Sequence, residues 1–294
     1  MSNQMSKTIE QLLRQSAEVL IGVGTDDKTA RLEVAALLSY ILVKPKSYLL
    51  TWPNELLKQG QLAMFEVLLE RRVAGEPLAY ITGEKEFFSL IFKVTPNTLI
   101  PRPETELLVE TVLEKFKANK NDQIQLLDLG TGTGAIAVSL AKTRNQWHVT
   151  AVDKSLEALE VAKYNANLHN VNNIDFVSSH WFNNLDCNLK FDCIVSNPPY
   201  IASNDPHLNE LKFEPQSALV ASNNGLRDIE EILSHARSFL KPGGFILIEH
   251  GYEQLPAIVE IVKELKILNS EQDLISINDY AGLPRLVMLK NIIL

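Results

Sequence analysis

The stretch Leu126 to Ala137, LLDLGTGTGAIA, limits what this chain can fold into more than any other part of it. An apolar run of strand character drives straight into Gly130, Gly132 and Gly134, and a helical pattern follows at once. Glycines placed so closely after a strand admit positive φ and leave no Cβ between the backbone and a nucleotide. Alone, such a turn is weak evidence. Here a second strand, HVTAVD, ends on Asp153, nineteen residues beyond Gly134, where a carboxylate can accept both ribose hydroxyls. Gly130, Thr131, Gly132, Thr133, Gly134 and Asp153 are therefore the candidate cofactor-binding residues.

The spacing separates two nucleotide ligands. A nicotinamide dinucleotide fingerprint reads G-x-G-x-x-G, whereas this turn reads G-x-G-x-G. Asp128, two residues before the first glycine, would repel a pyrophosphate but suits a cationic ligand with a free amino group. S-adenosylmethionine, with its sulfonium and ammonium, fits better, and the turn resembles the first motif of Rossmann-like methyltransferases. Trp181, following the strand IDFVSS, stands where such folds touch an adenine ring. His180 beside it has no evident partner in the sequence and reads as structural.

Strands and helices alternate from about residue 123 to the end, and five buried βα units require a parallel doubly wound sheet. The last two strands, DLISIND and PRLVMLK, are joined by Tyr-Ala-Gly-Leu alone, too short for a crossover helix, so that pair is antiparallel. Residues 5 to about 72 carry only helical periodicity: Ile9, Leu12, Leu13, Val19 and Leu20 in one stripe, Leu32, Ala35, Ala36, Leu38 and Ile41 in a second, and Leu56, Leu57, Met64, Phe65, Leu68 and Leu69 in a third. Asp26 or Asp27 is placed to cap the second helix. Between the two regions, FFSLIFKV predicts a short hairpin, and Pro103, Glu104 and Glu106 fit a helix start. The expected domains are a helical bundle over 1–83, a β-hairpin linker over 84–102 and an α/β domain over 103–294.

With 28 Lys and Arg against 36 Asp and Glu, the net charge of −8 argues against a general nucleic-acid binder. No apolar run approaches the roughly 20 residues of a membrane span, and the polar start MSNQMSKTIEQLLRQ lacks a signal peptide's apolar stretch. Cys187 and Cys193 are the only cysteines; they read as two reduced thiols rather than a disulfide framework or a zinc site. The expectation is a soluble cytoplasmic protein, with no direct nucleic-acid or membrane partner and no metal.

FDCIVSNPPYI carries the chemistry. A buried strand ends at Asn197, where the prolines stop the ladder, and ligands of doubly wound sheets sit beyond that end of the strands. Asn197 and Pro198 each precede a proline, so both are extended, and the prolines bring no N–H donors. What remains is a rigid loop offering two acceptors, the Asn197 side-chain oxygen and the Pro198 carbonyl, with the Tyr200 ring for stacking. Two acceptors and a flat face match a planar NH2 group on an sp2 carbon, held about 3–3.5 Å from a methyl donor. No general base lies in the run, so proton loss accompanies or follows transfer. Asn197, Pro198 and Tyr200 are the candidate catalytic residues; Pro199 joins them as substrate-binding, and Asn197 also faces the cofactor. Adenine, cytosine and a glutamine amide all satisfy this loop. A duplex-DNA enzyme must also flip its base and clamp phosphates, yet Asp205 to Asn224 offers only Lys212.

LIPRPETE, LLDLGTGTG, VSNPPYI, DPHL followed by FEPQSALVA, and GGFILIEHG, in this order, resemble the HemK/PrmC family of release-factor glutamine methyltransferases. The likeness covers essentially the whole chain, GEPLAYITG included, and LIPRPETE with FEP is its most specific part. It implies a Rossmann-like class I methyltransferase domain, with a seven-stranded mostly parallel sheet whose last strand is antiparallel, beside a small N-terminal helical bundle. It also implies an enzyme that uses S-adenosylmethionine, releases S-adenosylhomocysteine and methylates the glutamine of the Gly-Gly-Gln loop of class I peptide chain release factors; a monomer is expected. Donor contacts would come from Gly130 to Gly134, Asp153, Trp181 and Asn197, and the glutamine would be held by Asn197 to Tyr200. The helical domain would dock the release factor, and Pro101, Arg102 and Glu104 would line the substrate entrance. The competing enzyme reading is a DNA adenine amino-methyltransferase; a non-catalytic donor-binding adaptor is the third.

Overall fold

The computed structural model describes residues 7–119, 123–268, 270–290 and 292. Two compact units divide between Gly83 and Glu84. In the first, α1 (Ile9–Gly22), α2 (Asp27–Leu42), α3 (Lys46–Thr51), α4 (Gln59–Val73) and α5 (Leu78–Thr82) enclose Leu12, Leu20, Val34, Leu37, Leu38, Leu62, Phe65 and Leu68. Asp26 caps α2, its carboxylate accepting the Thr29 N–H at 3.0 Å. The buried faces are narrower than the sequence suggests: Val19, Leu32, Leu56 and Met64 are exposed. At about 100° per residue, Val19 sits at the outer edge of the stripe, beside Leu12, and Leu32 faces away from Ala30 and Val34.

In the second unit, β1 (Glu84–Phe87) and β2 (Leu90–Lys93) form the hairpin, with Phe88 and Ser89 both at positive φ (49° and 61°). Paired left-handed residues give the turn whose twist matches the flanking strands. The hairpin buries Phe87 and Phe92 in the core of this unit. There follow α6 (Glu106–Lys115), β3 (Gln125–Leu129), α7 (Ala135–Thr143), β4 (His148–Asp153), α8 (Leu156–Leu168), β5 (Ile174–Ser178) and β6 (Phe191–Ser196). A two-residue parallel pair, β7 (Ile201–Ala202) with β8 (Val220–Ala221), closes the next loop before a distorted turn α9 (Ser222–Gly225) and α10 (Arg227–Ala236). The unit ends with β9 (Leu240–Glu249), α11 (Leu255–Leu265), β10 (Leu274–Asn278) and β11 (Pro284–Lys290).

The seven-stranded sheet runs β10-β11-β9-β6-β3-β4-β5. All neighbours are parallel except β11, which is antiparallel to both β9 and β10. One apolar layer lies on each face. Leu126, Cys193, Val195 and Leu247 pack with α6, α7 and the hairpin, while Leu127, Leu129, Ile194 and Ile246 pack with α10 and α11. Of the two thiols, Cys193 is in this core and Cys187 is exposed.

Register places the site. Leu129 of β3 pairs with Val152 of β4 and Ser196 of β6, Asp153 with Ser178 of β5, and Ser196 with Ile248 of β9. Gly130, Asp153, Ser179, Asn197 and Glu249 therefore stand in one row at the carboxyl edge. Behind that row, the fully buried Asn165 of α8 joins the hairpin to the glycine turn. Its Nδ2 donates to Lys93 O (3.0 Å) and Thr133 O (2.9 Å), and its Oδ1 accepts the Lys93 N–H (2.8 Å). Asn165→Ala orphans three backbone groups and should cost this unit about 3 kcal/mol, read as a lowered urea midpoint. A midpoint unchanged from wild type would show that the clasp carries no weight.

Candidate functional site

The glycine turn is pinned to β4 through its backbone. Gly130 and Thr131 N–H both donate to Val152 O at 2.8 Å, and Gly134 N–H donates to Thr131 O at 2.8 Å. Gly130, Gly132 and Gly134 all have positive φ (75°, 56° and 79°). Two of them also lack room for a side chain: a Cβ at Gly134 would lie 3.1 Å from the Ala162 Cβ, and one at Gly130 would lie 3.3 Å from the Trp181 ring. The Asp153 carboxylate accepts the Gly132 N–H (Oδ2, 2.9 Å) and the Ser155 N–H (Oδ1, 2.9 Å), which leaves further lone pairs on both oxygens. Burial raises its pKa, against those two N–H groups.

A cleft opens beyond the strand ends. It is lined by Gly130, Gly132, Asp153, Trp181, Asn197 and Pro199, with His180, Ser155 and Thr98 around them. Of the residues expected from sequence, Thr131, Thr133 and Gly134 shape the turn from behind. Pro198 is buried, and Tyr200 packs into the core under α10 and α11. These five do not line the cleft. His180 does, and it has a partner that the sequence did not disclose: its Nδ1 lies 3.3 Å from Glu231 Oε1 on α10. Asp128 lies beneath the turn, fully buried, and accepts the Thr131 hydroxyl at 2.7 Å. It braces the turn rather than facing a ligand.

The second half of the site hangs on Asn197. Its Nδ2 donates to the Thr105 hydroxyl oxygen at 3.0 Å, so Oδ1 is the atom left to accept. The Tyr200 hydroxyl donates to Glu249 Oε1 at 3.3 Å, and the Tyr200 carbonyl accepts from Gln254 Nε2 at 2.9 Å. Gly225, at φ 82°, makes room for that carbonyl, since a Cβ there would lie 2.1 Å from it. Glu249 is buried completely, and this drives its carboxyl up to about 7 despite the nearby Thr105 hydroxyl, Arg285 and Tyr200. Burial and the facing carboxylate push the Tyr200 phenol well above its ordinary value, so it stays a donor.

Outside the cleft, Arg102 and Glu214 tie the two most distinctive motifs together. Arg102 donates to Glu214 Oε1 at 2.5 Å while Ile100 N–H donates to Oε2 at 3.1 Å, and the carboxylate side chain is 3% exposed. Pro101 is buried and Glu104 is exposed; neither they nor Arg102 reach the cleft. Thr105, Glu249, Glu214 and Gly225 escaped the sequence reading. Three of them stood inside quoted motifs without being given a role: Thr105 in LIPRPETE, Glu214 in FEP and Glu249 in GGFILIEHG. Among the described residues no cluster of metal-ligating side chains occurs, and no helix is long and apolar enough to cross a membrane.

A seven-stranded sheet with one antiparallel strand, a glycine turn answered by an acidic β4 end and an Asn-Pro-Pro-Tyr loop across the cleft define a class I methyltransferase. The family models agree: residues 120–282 match the methyltransferase domain and residues 11–83 the PrmC N-terminal domain. Release factor glutamine methyltransferase of Vibrio cholerae is 49% identical over 97% of this chain and 97% of its own length. The enzymes of that name from Aliivibrio fischeri (46%; 97% and 98% covered) and Pseudomonas aeruginosa (47%; 81% and 85%) are similar. The chain belongs to the release factor glutamine methyltransferase family. Its fold is shared at low identity by a methyltransferase from Pyrococcus furiosus (TM-score 0.51, 20% identical, 80% of this chain and 100% of that one). The hMettl16 catalytic domain shares it too (TM-score 0.54, 16% identical, 80% and 84%).

Asp128 sets a pH dependence. Burial, the largest cause, holds its carboxyl up at about 7, against the Thr131 hydroxyl and the Ala137 backbone and with some help from Asp153. A carboxyl raised above its unfolded value of 3.8 stabilises the fold fully below that value and loses this contribution as pH rises through 7. Thermal melts from pH 5 to 8 should therefore show wild type losing on the order of 3 kcal/mol relative to Asp128→Asn, whose neutral amide does not titrate. Parallel pH profiles would contradict this.

Proposed function

We propose that this protein transfers the methyl group of S-adenosylmethionine to the side-chain amide nitrogen of the glutamine in the Gly-Gly-Gln loop of class I peptide chain release factors, in the cytoplasm. The observation that carries the reading is the Asn197 carboxamide. It is tethered by its nitrogen to Thr105, so its oxygen is the free acceptor at the cleft wall.

The cleft suits the donor. Gly130 and Gly132 bring backbone close, Asp153 offers carboxylate lone pairs for ribose hydroxyls, and Trp181 supplies an apolar wall for a base. When bound, the donor supplies an electrophilic methyl on a sulfonium. The chain's own residues do the rest. Asn197 Oδ1 at the cleft wall would accept one N–H bond of the substrate amide and the Pro198 carbonyl, although Pro198 does not line the donor cleft, the other, fixing the amide plane and pushing electron density onto a nitrogen that otherwise shares its lone pair with the carbonyl. Pro198 and Pro199 keep the loop extended without offering donors that would compete for the acceptors. Orientation replaces a base, and the proton departs once the nitrogen has gained its methyl group.

The N-terminal unit is assigned to docking, where exposed Val43, Leu50, Trp52 and Met64 give it apolar surface to offer a protein partner. The relatives' shared name, spread over nearly the whole chain, supports the release factor as that partner.

Purified protein incubated with donor and a release factor should add one methyl group to the peptide containing Gly-Gly-Gln, and none to plasmid DNA. Asn197→Ala should lower the rate by about 10- to 100-fold, the loss of one charge-positioning acceptor, while donor affinity changes much less. A wild-type rate from the alanine variant would overturn the assigned geometry.

A further inference from the structure

A carboxamide can sit two ways round, and only one of them turns an acceptor toward substrate. We infer that Thr105 is the positioning residue that sets this choice, by accepting the Asn197 Nδ2–H and leaving Oδ1 to the cleft. The inference rests on the function proposed above and deepens it.

The contact is short and enclosed: Nδ2 to Oγ1 is 3.0 Å, and Thr105 is 5% exposed. A hydroxyl can donate as readily as accept, so the tether fixes the amide only if the Thr105 proton is committed elsewhere. Glu249 offers an acceptor for it. Its Oε1 already accepts the Tyr200 hydroxyl, while Oε2 is buried with no hydrogen-bond partner among the described residues. The Thr105 hydroxyl stands beside this carboxyl and favours its charged form. Directed to that open acceptor, the Thr105 proton would leave lone pairs and no hydrogen for Asn197, and the reversed amide would then set two oxygens against each other.

Thr105 is itself held in place. It ends the tight turn Pro103–Thr105, and its own N–H donates to the Arg102 carbonyl at 3.1 Å. The Arg102 guanidinium is clamped on the buried Glu214. The segment PRPET thus delivers one hydroxyl to one amide, although none of Pro101, Arg102 and Glu104 lines the cleft. Tyr200 reaches the same carboxyl from the other side, so both ends of Asn-Pro-Pro-Tyr are referred to Glu249.

The test uses the full-length protein, a release factor, and calorimetry of S-adenosylhomocysteine binding. Thr105→Val keeps the shape and removes the hydroxyl; kcat should fall at least tenfold while product affinity stays within about threefold of wild type. Thr105→Ser, which restores the hydroxyl, should recover most of the rate. Should the valine variant not fold, Glu249→Gln is read instead: its NH2 can donate to Thr105 in competition with Asn197, so kcat should again fall with product affinity kept. The inference is overturned if Thr105→Val or Glu249→Gln turns over at the wild-type rate, or if the serine variant is no better than valine. Failure of the proposed function itself would appear separately, as wild-type protein that binds the nucleoside but leaves the release factor unmodified.

Discussion

Everything at the cleft depends on the shared register of five parallel strands. Leu129, Val152, Ser196 and Ile248 lie side by side across β3, β4, β6 and β9, so the residue that follows each strand lands on one edge. Neighbouring strands are about 4.8 Å apart, and a slip of one residue would turn a site residue into a core residue and the reverse. Ser196 makes the point locally: its buried hydroxyl donates to Leu129 O at 2.8 Å, locking the strand that bears Asn197 to the strand that bears the glycine turn.

Above this frame the site is assembled from polar groups whose capacities are shared out between structure and ligand. Asp153 spends one lone pair of each oxygen on Gly132 and Ser155 and keeps the others. Asn197 commits its nitrogen and keeps its oxygen. Two carboxyls are buried outright: Asp128 under the glycine turn and Glu249 behind Asn-Pro-Pro-Tyr, each lifted to about 7 by loss of water. Removing such groups from water is costly, and here they brace the two loops that meet at the cleft. Arg102 and Glu214 do the same outside it, where a salt bridge with one nearly buried partner joins segments more than a hundred residues apart.

Much of this was legible in the sequence because local chemistry dictates it. Glycines after a strand, an acid closing the next strand and prolines after Asn197 each restrict the backbone within a few residues, so the glycine turn, Asp153 and the Asn197 loop are found where expected. The antiparallel β11 followed from the length of a single connection. What could not be read was long-range pairing. Thr105 lies 92 residues from Asn197, and Glu249 lies 49 from Tyr200; their roles depend on strand order, which no local pattern contains. The same limit explains His180, whose partner Glu231 comes from α10, and Asp128, whose burial beneath the turn was invisible. In the helical unit the helical spacing gave the helices but overestimated their buried faces: Val19 lies at the edge of its stripe and Leu32 on the side away from Ala30 and Val34, and both are exposed.

On the proposed function, the amide nitrogen is methylated because two acceptors, Asn197 Oδ1 and the Pro198 carbonyl, hold it, with no acid or base to assist. A crystal structure of the protein with S-adenosylhomocysteine and a Gly-Gly-Gln peptide addresses it directly. The account predicts the glutamine nitrogen within hydrogen-bond distance of Asn197 Oδ1 and the Pro198 carbonyl, its plane facing the sulfur. A glutamine seated away from these two oxygens, or a titratable side chain in contact with its nitrogen, would contradict it.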